Sequence, residues 1–310
     1  MKYLLSITCF FTIHLCIAQV PSHYKQVKSF NYSLQNIIKA SGLDSSWTAG
    51  EDGSEQVSFA VIDLNGKRPV IGGFNFQNFI YPASVYKMYV AMEILKQVSN
   101  NKYALSKTYI VLSPNDVDRT REINTDPRPL LKSGDTVTIN YLLDLMITRS
   151  DNSAANCLVD IAGRENINTT MHQNGWYGSE VTRKFLSRKF EDPGYDTIKG
   201  TETSALHAAD FMFKVYSNQL INPWVSMQMK ALLGRQLDKT KIAAGLPPNT
   251  MYYHKTGWWS IYTHDVGIVD DGHIKYIIAL FIPLRETDAI PKMKEVSRRV
   301  YELMKNLHPK

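Results

Sequence analysis

The sequence is poor in cysteine. Three of its 310 residues are Cys, and two of them, Cys9 and Cys16, fall within the first eighteen. Cys157 stands alone in the remainder, so no disulfide can form within it and the fold must rest on its core. Long apolar runs are also missing beyond the N-terminus. No later segment approaches the ~20 apolar residues that a bilayer-spanning helix needs. The formal charge is +6, but Lys and Arg are dispersed. That excludes the concentrated basic stripe of a nucleic-acid binder. No spacing of His, Cys, Asp and Glu suggests a zinc site, and there is no internal repeat or low-complexity tract. What is present is ordinary globular material, 44% apolar and 21% charged, in a chain long enough for one large domain or two medium ones.

The first eighteen residues differ from the rest. Lys2 supplies a positive charge, residues 3–17 carry no formal charge and are rich in Leu, Ile and Phe, and Cys16-Ile17-Ala18 offers small residues at the −3 and −1 positions of a cut before Gln19. This reads as a cleaved signal peptide, 1–18, of a periplasmic or secreted protein with no stable membrane insertion. Cys157 lies in an apolar run, Ala154-Ala155-Asn156-Cys157-Leu158-Val159, and reads as a small buried side chain rather than a reactive thiol.

Residues 24–41 place Val27, Phe30, Leu34, Ile37 and Ile38 at helical spacing, with Gly42 as a stop. A strand follows at 57–64, then Asn65-Gly66, a strong hairpin signal, and a second strand at 69–76. Helical patterns then begin at Pro82 and recur at 139–148, 153–162, 205–216 and 223–233, whereas 170–203 shows little periodicity. Three late strands, 251–256, 264–269 and 275–283, precede a last helix over 288–307, with Asp270-Asp271-Gly272 as a hairpin turn. Strands lie near both ends and helices in the middle. The expected architecture is α/β: one five-stranded antiparallel sheet flanked by the terminal helices (19–80 and 215–310), plus an all-α lobe (81–214). A cleft between lobes is a natural ligand site.

Three short motifs could carry chemistry. In Ser84-Val85-Tyr86-Lys87, two side chains three apart share one helix face. A serine hydroxyl needs a base to become a nucleophile, and a lysine can be that base only if burial or another cation lowers its pKa. The same spacing occurs at Ser22/Lys25 and Ser99/Lys102, so the pair alone says little. Ser84 differs because it follows Pro82 and opens a strongly apolar helix. Ser150-Asp151-Asn152 falls at the tip between two helices, where all three residue types also serve as N-caps. Lys255-Thr256-Gly257 ends a strand, with a glycine that lets a ligand approach the backbone.

In this order and in these contexts the three motifs resemble the signature set of penicillin-recognising serine enzymes. The chain resembles the class A serine β-lactamases and their relatives among the penicillin-binding proteins, with a β-lactamase/transpeptidase-like fold. Tyr81-Pro82-Ala83-Ser84, the segment from Ser150 to Asn156 and the segment from Thr203 to Ala209 extend the likeness. The resemblance implies hydrolysis of a β-lactam amide through an acyl-enzyme on Ser84. Lys87 would relay the proton, Ser150 would protonate the departing nitrogen, and Asn152 would hold the substrate's side-chain amide. Lys255, Thr256 and Gly257 would bind the substrate carboxylate end, and the backbone N–H groups of Ser84 and Trp258 would form the oxyanion hole. The partner would be a small β-lactam or a cell-wall peptide, with no cofactor, metal or nucleic acid, and the protein would be a monomer.

The likeness also implies a deacylating glutamate on the loop at 181–202. Direct alignment of Leu186-Ser187-Arg188-Lys189-Phe190-Glu191 puts Phe190 at that position, with Glu191 one residue late. Glu191 is therefore the candidate base if the backbone shifts by one residue. Without such a base the same scaffold would act as a D-Ala-D-Ala peptidase or another serine acyl hydrolase with slow β-lactam turnover. Trp258-Trp259 reads either as a stacking surface for substrate or as lobe packing. His264-Asp265 reads as a structural histidine or as a proton-handling pair.

Overall fold

The computed structural model describes residues 19–49, 53–121, 123–185 and 200–310. In chain order the elements begin with strand β1 (Lys25–Gln26), helix α1 (Lys28–Ala40), β2 (Ser46–Thr48), β3 (Ser54–Gln56), β4 (Ser58–Asp63), β5 (Val70–Phe74) and β6 (Phe79–Ile80). The helical part holds α2 (Lys87–Ser99), β7 (Thr108–Ile110), β8 (Thr136–Thr138), α3 (Ile139–Asp144), α4 (Asn152–Ala162), α5 (Arg164–Gln173), β9 (Thr203–Ser204), α6 (Ala205–Tyr216) and α7 (Pro223–Leu233). The chain returns to the sheet with β10 (Met251–Trp259), β11 (Tyr262–Asp270) and β12 (Lys275–Ile282), and closes on α8 (Glu286–Leu307).

The central sheet runs β1-β5-β4-β12-β11-β10. Its five long strands pair antiparallel, as the sequence pattern implies. The sixth, β1, is two residues long and adds parallel to β5 through Lys25↔Val70 and Gln26↔Ile71. Both sides of the sheet are covered, which is why the strands read as nearly continuous apolar runs. Along β12, Tyr276, Ile278, Leu280 and Ile282 face one core with Leu34 and Ile38 of α1 and Met293, Val296 and Val300 of α8. The alternate residues Ile277, Ala279 and Phe281 face a second core shared with α2, α4 and α6. The period of two along a strand thus divides one apolar run between two cores. β10 is the far edge of the sheet, and its end contacts the turn that carries Ser84.

Helix α1 starts at Lys28 rather than near Tyr24, because Lys25 and Gln26 are extended to pair with β5. Helix α5, Arg164–Gln173, is mostly polar and buries only Ile167, Thr170 and Met171, which is too sparse a stripe to stand out in sequence. Among the described residues, no helix is long and apolar enough to cross a membrane. Cys157 is buried, and burial pushes its thiol up to about 12.

Leu280 lies at the centre of the sheet and is fully buried, whereas Leu307 at the end of α8 is 46% exposed. Leu280→Ala is expected to cost about 2–5 kcal/mol and Leu307→Ala at most ~0.5 kcal/mol. Urea unfolding of the two variants measures the contrast.

Candidate active site

Residues Ala83–Tyr86 form a 3-10 turn, and the α-helix proper begins at Lys87. The Val85 N–H donates to the Pro82 carbonyl at 3.1 Å, which sets the tight first turn. In a 3-10 turn, residues three apart eclipse one another. Ala83 has φ +45, a left-handed backbone that a residue with a Cβ rarely adopts. Its surroundings hold it there. His264 Nε2–H donates to the Tyr81 carbonyl at 2.9 Å, while His264 Nδ1 accepts the Ile282 N–H at 3.2 Å. A carbonyl only accepts and an amide N–H only donates, so the ring is neutral with its proton on Nε2.

Gly257 completes this contact. A Cβ there would stand 2.8 Å from the Pro82 carbonyl oxygen and 2.9 Å from the amide nitrogens of Ser84 and Val85. Only glycine lets the edge strand β10 lie this close to the turn that carries Ser84. The adjacent Trp258 and Trp259 are 40% and 64% exposed and line the cleft, so they do not pack between lobes.

Ser150 comes from the helical side. It follows a π-type turn, Leu145–Arg149, and has φ +62. Asp151 caps α4 by accepting the Ala154 N–H at 2.7 Å, so capping falls to the middle residue of the motif and leaves its neighbours to face the cleft. Arg149 ties Asp151 (2.6 Å) to Asp126 (3.3 Å), and Arg128 in turn bridges Asp126 and Asp144. This network, buried at Arg149, Asp126 and Asp151, braces the tip from behind.

The two lysines meet at Ser150. Lys255 Nζ donates to Ser150 Oγ at 2.9 Å and to the Thr256 carbonyl at 2.6 Å. Lys87 Nζ donates to the Ser150 carbonyl at 2.5 Å, to Asn152 Oδ1 at 2.7 Å and to Ser150 Oγ at 3.3 Å. Both lysines are fully buried. The Lys87 ammonium also lies 4.2 Å from the centre of the Phe185 ring. Asn152 is held from its other side by Asp118, whose carboxylate accepts the Asn152 N–H (2.7 Å) and Nδ2–H (3.0 Å). Burial, followed by the nearby Asp151 charge, pushes the Asp118 carboxyl upward, and Lys87 pulls it back.

Ser84, Asn152 and Trp258 line one cleft of about 480 Å³, together with Tyr81, Tyr86, Asp118 and Phe185. A neighbouring cavity of about 750 Å³ shares Asp118 and Trp258 and is lined by Ser150, Thr256, Gly257, Lys239 and Lys241. The structure thus brings together Ser84, Lys87, Ser150, Asn152, Lys255, Thr256, Gly257 and Trp258. Glu191 and Phe190 lie outside the described residues.

His264 and Asp265 do not form a pair, because neighbours on a strand face opposite sides. Asp265 instead accepts from His254 Nδ1 at 2.9 Å, and His254 Nε2 accepts from Lys239 at 3.1 Å. Asp118 and Phe185 were not legible as site residues. For Phe185 a signal did exist: Arg183-Lys184-Phe185 repeats as Arg188-Lys189-Phe190, so the loop offers two registers.

A covered antiparallel sheet, a mainly helical side that also holds the short strand pair β7–β8 where an all-α lobe was expected, and a buried Ser/Lys/Ser/Lys cluster where they meet define an active-serine hydrolase of the penicillin-recognising type. The profile of the Beta-lactamase enzyme family matches residues 35–304. A beta-lactamase of Bacteroides uniformis is 23% identical over 272 residues, covering 78% of this chain and 88% of the relative. Among solved structures, PBP-A superposes with a TM-score of 0.75 at 19% identity, covering 93% of this chain and all of that one. A class A beta-lactamase representative from Bacteroides cellulosilyticus gives a TM-score of 0.69 at 20% identity over 89% and 98% of the two chains. At these identities the structural likeness speaks to fold. The chain belongs to the beta-lactamase enzyme family.

Burial lowers the pKa of His264 to about 3 and that of His207 to about 4. The unfolded chain therefore binds protons at these residues from about pH 6.5 downward that the native chain does not. The stability they contribute is complete above about pH 6.5 and is lost as pH falls toward those lower values. His264→Gln is expected to flatten this acid slope by up to about 1.4 kcal/mol per pH unit. Urea unfolding at a series of acidic pH values measures it. An unchanged slope would contradict a buried neutral ring.

Proposed function

We propose that this family member hydrolyses β-lactams through an acyl-enzyme on Ser84. The carrying observation is the convergence of Lys87 and Lys255 on Ser150 Oγ, beside the cleft that Ser84 lines. Ser84 Oγ attacks the lactam carbonyl carbon and its proton passes to Lys87, which must be neutral at that moment. A second buried cation on the same hydroxyl favours that neutral form. The negative charge on the carbonyl oxygen falls to the backbone N–H groups of Ser84 and Trp258.

The ring C–N bond then breaks, and Ser150 delivers a proton to the nitrogen and regains one from Lys87, which holds the proton taken from Ser84. Ser150 Oγ accepts from both ammonium groups, so its own hydrogen is left to point at the leaving nitrogen. Lys255 and Thr256 receive the substrate carboxylate, and Asn152 receives the side-chain amide. The N-terminal eighteen residues direct export, with cleavage near Ala18/Gln19 into the periplasm or medium. N-terminal sequencing of the exported protein checks that step. The mature chain works as a monomer.

Ser84→Ala is expected to lower hydrolysis of a chromogenic cephalosporin by more than about 10³-fold. Lys255→Ala should lower kcat/KM by roughly 10–100-fold through a lost charged hydrogen bond. Wild-type protein with neither turnover nor covalent uptake of penicillin would contradict the reading, as would a fully active Ser84→Ala variant.

A further inference from the structure

We infer that Lys239 forms a second anion subsite, which takes an acidic group that a β-lactam carries beside its ring carboxylate. The inference rests on the reading of Ser84 as nucleophile. The subsite belongs to the cavity of about 750 Å³, whose walls include Ser150, Thr256 and Gly257 as well as Lys239. Other cations on these walls are matched by carboxylates. Lys241 Nζ meets Asp238 at 2.6 Å and Glu286 at 2.7 Å, and Arg149 meets Asp126 and Asp151. Asp118, also on the wall, accepts twice from Asn152. Lys239 is held in a different way: its Nζ donates to His254 Nε2 at 3.1 Å. A neutral ring aims an ammonium without cancelling its charge.

The surroundings fix both the ring and its tautomer. His254 is fully buried in β10, and burial pushes its pKa down against the pull of Asp265. Its Nδ1–H donates to Asp265 Oδ1 at 2.9 Å, which leaves the Nε2 lone pair for Lys239. The other Asp265 oxygen accepts the Ile242 N–H at 3.1 Å. Tyr252 stacks on the ring, with centroids 4.2 Å apart. Gly267 stands opposite on β11, where a Cβ would come within 2.6 Å of His254 Cβ. The segment leading to Lys239 is pinned as well: the Leu237 N–H donates to the Thr148 carbonyl and Gln236 Nε2–H to the Ile147 carbonyl, each at 2.9 Å. His254 is thus a positioning residue, and Lys239 is the group that meets the ligand. In a cephalosporin the C3 substituent is attached next to the carbon that bears the carboxylate. With that carboxylate on Lys255 and Thr256, the substituent enters the cavity that Thr256 shares with Lys239. An acidic substituent gains a charge-assisted hydrogen bond there, and a neutral one does not.

The test compares cefonicid with cefamandole, which share one acyl side chain and differ in a sulfonate that cefonicid carries on its C3 tetrazole. The readout is the ratio of their kcat/KM values, which covers binding and acylation and not the later release. Where turnover is slow, the second-order rate of adduct formation by intact mass reads the same quantity. The cefonicid-to-cefamandole ratio is expected to fall about three- to tenfold in Lys239→Gln, between the worth of an exposed ion pair and that of a charged hydrogen bond. Lys239→Arg should keep most of it. His254→Asn retains a donor for Asp265 but removes the acceptor for Lys239, so it should lower the ratio too, a selective change that lost stability alone would not produce. Thermal melts confirm folding, and Lys239→Met replaces Lys239→Gln if the latter does not fold. The same ratio in wild type and in the folded Lys239 variant would overturn the inference and leave the Ser84 reading intact, even if both rates fell together. An unchanged ratio in folded His254→Asn would overturn the positioning role of His254. Neither turnover nor covalent adduct with either cephalosporin would remove the Ser84 reading, and this inference with it.

Discussion

Two buried ammonium groups share one hydroxyl. Lys87 and Lys255 both donate to Ser150 Oγ, at 3.3 and 2.9 Å, in surroundings that leave neither of them any solvent exposure. Like charges at such separations repel strongly where water is excluded. Acceptors stand around the pair: the carbonyls of Ser150 and Thr256, Asn152 Oδ1 and the face of Phe185. Each ammonium comes from a different part of the fold. Lys87 is on the first turn of α2 and Lys255 on the edge strand β10, while Ser150 follows the π-type turn after α3. The constraint therefore extends to the whole junction between sheet and helices.

That junction is held by devices that never touch a substrate. His264 fixes the Tyr81 carbonyl ahead of the Ser84 turn and takes the Ile282 N–H on its other nitrogen. Gly257 allows β10 to lie against Ser84 N at a distance no other residue permits. Arg149 and Asp151 lock the Ser150 tip from behind. His254 links Asp265 to Lys239 at the wall of the second cavity. Two left-handed residues, Ala83 and Ser150, lie beside or within the proposed reacting set. Local strain of this kind persists where the surroundings over-determine the backbone.

The large features of this fold could be read from sequence for a simple reason. Strands such as β12 are buried on both faces, so they appear as unbroken apolar runs. Helices α6 and α7 have strong apolar stripes and good N-caps at Ser204 and Asn222. Strand β1 was not readable, because Lys25 and Gln26 pair through their backbones and leave no mark in side-chain pattern. The turn type at Ser84 was not readable either, since a 3-10 and an α-helical start use the same residues. Within the site, the three motifs were legible through their order and setting. Asp118 was not, because its place depends on how a long loop returns to Asn152. Phe185 was obscured by the repeated tripeptide, and its position follows from Asn156, which is distant in sequence.

Ser84, the proposed nucleophile, lies in the 3-10 turn just ahead of α2, and the supports described converge on that turn. Peptide mapping of the protein after reaction with penicillin tests that most directly. A single adduct on the peptide carrying Ser84 is the predicted result. An adduct on another side chain, or none on Ser84 in a protein that still hydrolyses penicillin, would contradict the account.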